Sequence, residues 1–348
     1  MSWYAIESVD DAIDATRSFL FPFDLGTWLR LGLIAIFVGV GGGGISSVFN
    51  LFNAGSTPSG TGPDSGPAPA PAEPTPEMLP VEPVVIVALV GVLLLIGLGL
   101  SLLSETLRLV FYDALRTDTV RIRGPAKQRF GQALRLFGFK LVLNVVFALP
   151  ILAVGAAVFV GAAGELGETA MLVGGLLAVA VAVVTGLVYL IVARVTTEFV
   201  TPIMVLTDGG VLDGWRRFWP VLRGNLAQFG VYVVVHFLVL LAISIGQTIL
   251  GFIVFGIVGV VGGIVALVVA LGVFGGFSAA VGSTAGLVAL GVIAAVTLLV
   301  VFLVTLPINI VVLTYVFSYE VSVLGAADED LRLLPTTDGT EPPSTPTE

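Results

Sequence analysis

The chain has 348 residues, of which 57% are hydrophobic and only 11% are charged, and its net charge at pH 7 is −9. This composition lies far outside the range of soluble globular domains, and burial in lipid is its natural explanation. The chain contains no cysteine, which excludes disulfides and thiolate metal sites.

Residues 1–25 predict an amphipathic segment that lies along the inner surface of the membrane. Residues of one face recur at helical spacing, namely Ile6, Val9, Ile13, Thr16 and Leu20. The polar face is acidic, and no basic stretch of the kind that opens a signal peptide precedes the first apolar run. We therefore expect this segment to cover the cytoplasmic end of a helical bundle rather than to bind anionic lipid heads.

Residues 26–324 predict a transmembrane helical domain. Uncharged stretches run over 31–63, 83–104, 141–164, 169–193 and 224–319. Each is at least as long as the roughly 20 residues that cross a hydrocarbon core as a helix. The last stretch is longer than two spans, and it predicts an extra apolar piece, between about 259 and 285, that enters the outer leaflet and returns. We expect about six transmembrane helices, with eight as the alternative.

Two segments predict disorder. Residues 53–83 are rich in proline, glycine, serine and threonine, a composition that cannot bury enough apolar surface to fold. They predict a disordered external linker within the membrane domain. Residues 325–348 predict a disordered acidic C-terminal tail for the same reason.

The basic residues predict the orientation of the chain. Loops 108–140 and 194–223 carry twelve of the fifteen Lys and Arg residues, whereas the loops between spans one and two and between spans three and four carry only acids. By the positive-inside rule both termini and both basic loops face the cytoplasm. The predicted class is thus an all-α, multi-pass protein of the cell membrane.

A weak internal repeat divides the bundle into three hairpin-like units of about residues 8–113, 114–208 and 209–325. Pro22, Gly26 and Gly32 lead into the first span, and Pro220, Gly224 and Gly230 lead into the fifth with identical spacing. Glycine is so frequent in this chain that a chance match is the alternative.

The N-terminal stretch from Trp3 to Ala12 and the basic loop from Arg116 to Lys140 resemble a family of uncharacterised haloarchaeal multi-pass membrane proteins. In architecture alone the chain is distantly similar to the membrane domain of glycerophosphoryl diester phosphodiesterases. The resemblance implies a six-helix bundle without an assigned activity, because the soluble phosphodiesterase barrel is absent. An acid-rich, lysine-poor composition also indicates a halophilic source, with an accident of the small soluble fraction as the alternative, and the resemblance implies that the source is archaeal.

Polar residues near the inner ends of the spans predict a polar vestibule open to the cytoplasm. Its candidate residues are Glu105, Arg108, Asn144, Arg194, Glu198, His236 and Asn309. Ionisable groups at such depth are functional candidates by default. The alternatives are ion pairs that reach toward water at the interface and, for His236, a neutral imidazole that shares a hydrogen bond with a neighbouring helix.

No nucleophile and base cluster in the sequence, so we expect no enzyme, no catalytic residue and no cofactor. We also expect no metal site, because the single histidine has no second His or Cys to join it. The first functional hypothesis is a scaffold or accessory membrane component in the lipid bilayer. Its basic loop 108–140 would contact lipid head groups or a cytoplasmic protein, it could form a homo- or hetero-oligomer, and it would bind no nucleic acid.

The alternative hypothesis is a transporter or channel-like protein that uses the vestibule. The two hypotheses differ in where the candidate residues point. Convergence around one cavity favours transport, and scattered positions that face lipid or water favour the scaffold.

Overall fold

The computed structural model describes residues 3–39, 83–163 and 168–334, and these residues form helices and short connections without a β-strand. The helices are α1 (Tyr4–Leu20), α2 (Leu25–Val38), α3 (Pro83–Thr117), α4 (Arg123–Ala163), α5 (Glu168–Val195), a π-helical turn (Thr196–Val200), α6 (Thr201–Thr207), α7 (Val211–Gly224), α8 (Leu226–Gly272), α9 (Phe277–Gly282), α10 (Thr284–Ala327) and a 3₁₀ turn (Glu329–Leu331).

Five helical segments are long and apolar enough to cross a membrane, and they make the chain a multi-pass membrane protein. They are Val87–Thr117, Arg123–Phe159, Leu172–Thr207, Leu226–Gly272 and Thr284–Ala327. Their apolar side chains are exposed along most of their length, as expected of surfaces that face lipid. The first predicted span is described only as the 14-residue α2, and its remainder lies outside the described residues, as does the proline-rich linker up to residue 82.

The prediction of a returning apolar piece between 259 and 285 is wrong. Helix α8 runs unbroken for 47 residues, α10 runs for 44, and only the six-residue α9 lies between them. The glycines of this stretch are isolated or paired and no proline accompanies them, so each weakens the helix without ending it. Within residues 226–327 the structure contains no additional membrane-crossing helix of the kind that the eight-span alternative requires.

Most buried side chains lie at one end of the bundle, which we call the base. The base contains α1, α6, α7 and the adjoining ends of the long helices, with two clusters of buried apolar residues. Helix α1 packs on α10 and α8, and the Tyr319 hydroxyl donates a hydrogen bond of 3.0 Å to the Ala5 carbonyl. Helix α1 thus packs across this end of the bundle, and its place along the inner surface of the membrane stays a prediction.

The face through which α1 packs differs from the predicted one. Its buried residues are Ala5, Ser8, Ala12, Thr16 and Leu20, whereas the side chains of Ile6 and Ile13 are 55% and 51% exposed. Small residues allow α1 to lie close against α10, and the larger isoleucines remain on the outer face. Among the residues whose helical spacing predicted one face of this segment, only Thr16 and Leu20 are buried.

The predicted disorder from residue 325 onward is wrong for residues 325–334. Helix α10 continues to Ala327, and the 3₁₀ turn follows it. Leu331 and Leu333 are only 2% and 4% exposed because they pack into the base. Gly325 permits this return, since a Cβ there would lie 3.2 Å from the Arg332 Cα. Residues 335–348 lie outside the described residues.

The three-unit repeat remains a prediction. An amphipathic helix precedes two apolar helices in the first and third units, as α1 before α2 and α3, and as α7 before α8 and α10. In the second unit the basic segment is the beginning of α4 itself.

Candidate functional site

A cavity of about 680 Å³ lies among the long helices next to the base. Helices α3, α4 and α5 form one side, α8 and α10 form the other, and the end of α2 contributes to a flank. The cavity brings together six of the seven residues predicted for the vestibule, namely Glu105, Arg108, Asn144, Arg194, Glu198 and His236. It adds Lys140 and Glu320, which the prediction did not include.

One corner of the cavity is built around Glu105 on α3. Lys140 on α4 donates a hydrogen bond of 2.7 Å from Nζ to its Oε1. The Nε of Arg108, one helical turn further along α3, lies 3.7 Å from its Oε2. The Arg108 guanidinium also lies 5.5 Å from the centre of the Phe317 ring, a cation–π contact that fixes its position.

A second corner is built around Glu198 in the π-helical turn. The turn inserts an extra residue into the helix, and such insertions are frequent at functional sites. Tyr232 donates a hydrogen bond of 2.9 Å from its hydroxyl to Oε2 of Glu198. The Nε of Arg194 lies 3.4 Å from Oε1, and Nε2 of His236 lies 3.7 Å from the same oxygen.

Glu320 on α10 completes the floor of the cavity. The Tyr112 hydroxyl donates a hydrogen bond of 3.0 Å to its Oε2, and among the described residues it has no salt-bridge partner. One potential ligand atom from each of Glu198, His236 and Glu320 lies within 4.8 Å of the other two. The sequence contained a signal for this residue, because Glu320 is the only charged residue between Arg223 and Asp328.

The cavity extends into the membrane part of the bundle and not toward the base. Beyond the charged residues its walls are largely apolar, as at Leu100, Leu143, Leu190 and Leu240. On the base side, buried aromatic rings close the floor, including Phe199, Tyr232 and Tyr319. The opening of this cavity toward the cytoplasm stays a prediction.

Two of the predicted polar residues have amide side chains, and only one reaches the cavity. Asn144 accepts a hydrogen bond of 2.6 Å from the Tyr189 hydroxyl, and both residues line the cavity. Asn309 instead accepts a hydrogen bond of 3.2 Å from Gln247 and does not line it. Asn309 precedes Glu320 by eleven residues on α10, which corresponds to about 16 Å along the helix.

The exposure of the cationic side chains decides which of them can receive a ligand. The Arg194 side chain is 45% exposed, compared with 21% for Lys140 and 12% for Arg108. Their carboxylate partners Glu105 and Glu198 are each 10% exposed. The floor thus holds fixed charges of both signs at the end of an apolar cleft, where electrostatic interactions are stronger than in water.

The basic loop 108–140 is partly used inside the base. Arg129 forms ion pairs with Asp113, at 2.7 Å, and with Asp208, and Arg116 donates a hydrogen bond of 3.3 Å to the Val205 carbonyl. The basic side chains that remain exposed in the loop are those of Arg116, Arg121, Arg123, Lys127 and Arg135. A lipid or protein partner at this surface stays a prediction.

Comparison with known proteins shows a single kind of relationship. Residues 3–334 match the model of a family described as "Family of unknown function (DUF7544)". No curated protein and no solved structure matches the chain.

Proposed function

We propose that this chain, which belongs to the DUF7544 family of unknown function, binds an amphiphile with an anionic head group in its intramembrane cavity. The observation that carries the proposal is the convergence of ionisable side chains from five long helices on one cavity with apolar walls. This is the arrangement that favours the transport hypothesis over a scaffold.

The head group would be held at the floor of the cavity. Arg194 is the most exposed of the three cations, and its single contact with Glu198 is a long one, at 3.4 Å. It therefore has free donors to offer a phosphate or carboxylate, which guanidinium groups bind in a forked geometry. Lys140 on α4 and Arg108 on α3 would add positive charge.

The apolar part of the ligand would lie along the walls. Leu100, Leu190 and Leu240 line the cavity on the membrane side of the charged floor. Beyond them the helices expose continuous apolar surface, including Leu93 and Leu187. An acyl or isoprenoid chain could thus pass from the cavity into surrounding lipid without crossing a polar barrier, because both environments are equally apolar.

The protein would bind its ligand without catalysing a reaction. It would belong to the transporter class because it would take that ligand from the bilayer. The cell membrane is the proposed location, with the base and both termini on the cytoplasmic side, as the basic residues predict. The charged floor would then lie near the inner leaflet, where head groups are found. A scaffold role needs no such cavity.

Native mass spectrometry of the full chain in detergent tests the proposal. The probes are phosphatidylglycerol and diacylglycerol with identical acyl chains, so that only the head group differs. We expect one phosphatidylglycerol to remain bound, with at least a tenfold preference over diacylglycerol. The Arg194→Gln variant should lose that preference, because it removes the exposed guanidinium from the cavity.

The matched control is Arg217→Gln, which removes one guanidinium from an exposed position on α7. This variant should bind phosphatidylglycerol as the unmodified chain does. Equal retention of both probes, or equal effects of the two substitutions, would overturn the proposal. A stoichiometric protein partner that co-purifies without any lipid preference would support the scaffold hypothesis instead.

A further inference from the structure

Three side chains from different helices meet at the floor of the cavity with the donor atoms of a metal site. They are Glu198 from the π-helical turn, His236 from α8 and Glu320 from α10, and all three are buried. We infer that these residues form a binding site for one divalent transition-metal ion, with two carboxylate oxygens and one imidazole nitrogen as ligands. The inference does not depend on the amphiphile proposed above.

The distances fit a small cation. Ligands at 2.0 to 2.2 Å from a tetrahedral zinc ion lie about 3.3 to 3.6 Å from one another. His236 Nε2 and Glu198 Oε1 are 3.7 Å apart, which is already close to that separation. The set as a whole lies within 4.8 Å, so side-chain rotations that move the third ligand by about 1 Å would close the site.

His236 lacks the partner that a buried imidazole requires. Its side chain is only 3% exposed, and its Nδ1 has no hydrogen-bond partner among the described residues. The contact of Nε2 with Glu198 is too long for a hydrogen bond. Coordination of a cation through the Nε2 lone pair would give that nitrogen a partner and place the imidazole proton on Nδ1, which would still need an acceptor such as water.

The local charge also calls for a cation. Glu198 and Glu320 are 8% and 5% exposed, and like charges at such short range in a buried site repel strongly. Arg194 pairs with Glu198, whereas no cationic side chain of the described residues forms a salt bridge with Glu320. A divalent ion between the two carboxylates would offset their mutual repulsion.

Each carboxylate is already oriented by a tyrosine from another helix. Tyr232 donates to Oε2 of Glu198, and Tyr112 donates to Oε2 of Glu320. The second oxygen of Glu320 remains available, whereas Oε1 of Glu198 is shared with the ion pair to Arg194, at 3.4 Å. Hydrogen bonds of this kind fix the ligating carboxylates of known metal centres and raise the affinity of the site.

The donor set selects the class of metal. Imidazole nitrogen with carboxylate oxygens suits zinc, manganese or iron, whereas magnesium and calcium prefer oxygen ligands throughout. The three ligands also line the cavity, which leaves a path for entry and a coordination position for water or a ligand. The sequence-based expectation of no metal site considered only a second His or Cys as a further ligand and left Glu320 out.

Equilibrium binding of Zn²⁺ to the full chain in detergent tests the inference. A chelator first removes bound metal from the protein. The protein is then equilibrated with Zn²⁺, with excess Mg²⁺ present to block weak acidic sites, and its zinc content is measured by elemental mass spectrometry. We expect one Zn²⁺ per chain. His236→Gln and Glu320→Gln should each lower the affinity at least a hundredfold, since each removes one of three ligands.

The control variant is Glu329→Gln, which removes a carboxylate from an exposed position outside the cavity and should bind Zn²⁺ unchanged. Tyr112→Phe and Tyr232→Phe should weaken binding by about tenfold to a hundredfold without abolishing it. Gel filtration of every variant shows whether it is folded, and Glu320→Gln is mild because its amide oxygen can still accept from Tyr112.

Substitution with Co²⁺ gives a second, independent readout. Its visible absorption bands should report low-coordinate nitrogen and oxygen ligation and should disappear in folded His236→Gln. The absence of stoichiometric Zn²⁺ binding to the unmodified chain would overturn the inference, as would binding that survives both ligand substitutions. In either case the buried carboxylates would be neutralised by protons.

Discussion

The hydroxyl of Tyr112 donates a hydrogen bond of 3.0 Å to Oε2 of Glu320, a residue 208 positions further along the chain. Both side chains are buried. The bond joins the base end of α3 to the base end of α10, and so connects the two sides of the cavity across its floor.

Tyr112→Phe should therefore destabilise the protein. The substitution leaves a buried carboxylate without its hydrogen bond, and the expected loss in the free energy of unfolding is about 1 to 3 kcal/mol. Chemical denaturation in detergent measures it. The matched control is Tyr189→Phe, which removes an exposed hydroxyl from Asn144 and should change stability by less than about 0.5 kcal/mol. Equal losses would show that the Tyr112–Glu320 hydrogen bond contributes no more to the free energy of unfolding than the exposed one does.

Glu105→Gln should destabilise more strongly, because it leaves Lys140 and Arg108 without their carboxylate. Breaking a buried ion pair from one side costs about 3 to 5 kcal/mol, and the partial exposure of Lys140, 21%, favours the lower end of that range. The same denaturation experiment on Arg216→Gln provides the comparison. That residue pairs with Asp213 at the surface, with side chains 83% and 65% exposed, and its loss should cost less than about 1 kcal/mol.

Gly262→Ala should loosen the hairpin of α8 and α10. A Cβ at Gly262 would lie 2.8 Å from Cγ2 of Thr297, closer than packed carbon atoms approach, so α8 and α10 would have to separate. Overpacking of this kind costs about 1 to 3 kcal/mol. The adjacent Gly263 has no atom within 4 Å of its would-be Cβ, and Gly263→Ala should be neutral or slightly stabilising. Thermal unfolding of the two variants side by side makes the comparison, and equal midpoints would contradict it.

Asp24 should make the start of α2 sensitive to acid. Its Oδ2 accepts a hydrogen bond of 2.7 Å from the Thr27 amide, and hydrogen bonding by Thr27 lowers the pKa of Asp24 below its ordinary value of 3.8. Because the folded-state pKa is the lower one, the stabilisation is complete above the ordinary value and disappears as pH falls through the folded-state value.

The variant Asp24→Asn tests this acid sensitivity, since asparagine caps a helix without titrating. The difference in melting temperature between the unmodified chain and Asp24→Asn should be constant from pH 7 to about pH 5 and should shift against the unmodified chain in more acidic buffer. Parallel melting curves at every pH would show that the Asp24 carboxylate contributes no pH-dependent stability.

The spans could be predicted because long uncharged runs have few alternatives to helices in a bilayer. The interruption expected near residues 259–285 could not, because glycine alone does not tell a break from close helix packing. Gly262 illustrates the second case, since it faces Thr297 of the partner helix. Which glycines face a partner depends on how α8 and α10 rotate against each other, and this is a tertiary property.

Some cavity residues could likewise be predicted from the sequence, and others could not. Arg194 and Glu198 could be proposed from their spacing, as partners on one helix. Glu320 has no basic residue within one turn of α10, so its partners come from other helices and only packing reveals them. Tyr112 and Tyr232 carried no signal either, because tyrosine within an apolar run is indistinguishable from core filling until its hydroxyl meets a carboxylate.

The unequal lengths of the helices have a mechanical consequence. At 1.5 Å per residue the 47 residues of α8 span about 70 Å, more than twice the roughly 30 Å of a hydrocarbon core, and α10 matches it. Such a pair fits a bilayer by tilting, by locally thickening the bilayer or by extending beyond the hydrocarbon core. His236 and Glu320 lie on these two helices and Glu198 lies on another, so a change in helix tilt with bilayer thickness would move the first two residues relative to the third. The geometry of the cavity floor would then depend on the thickness of the membrane.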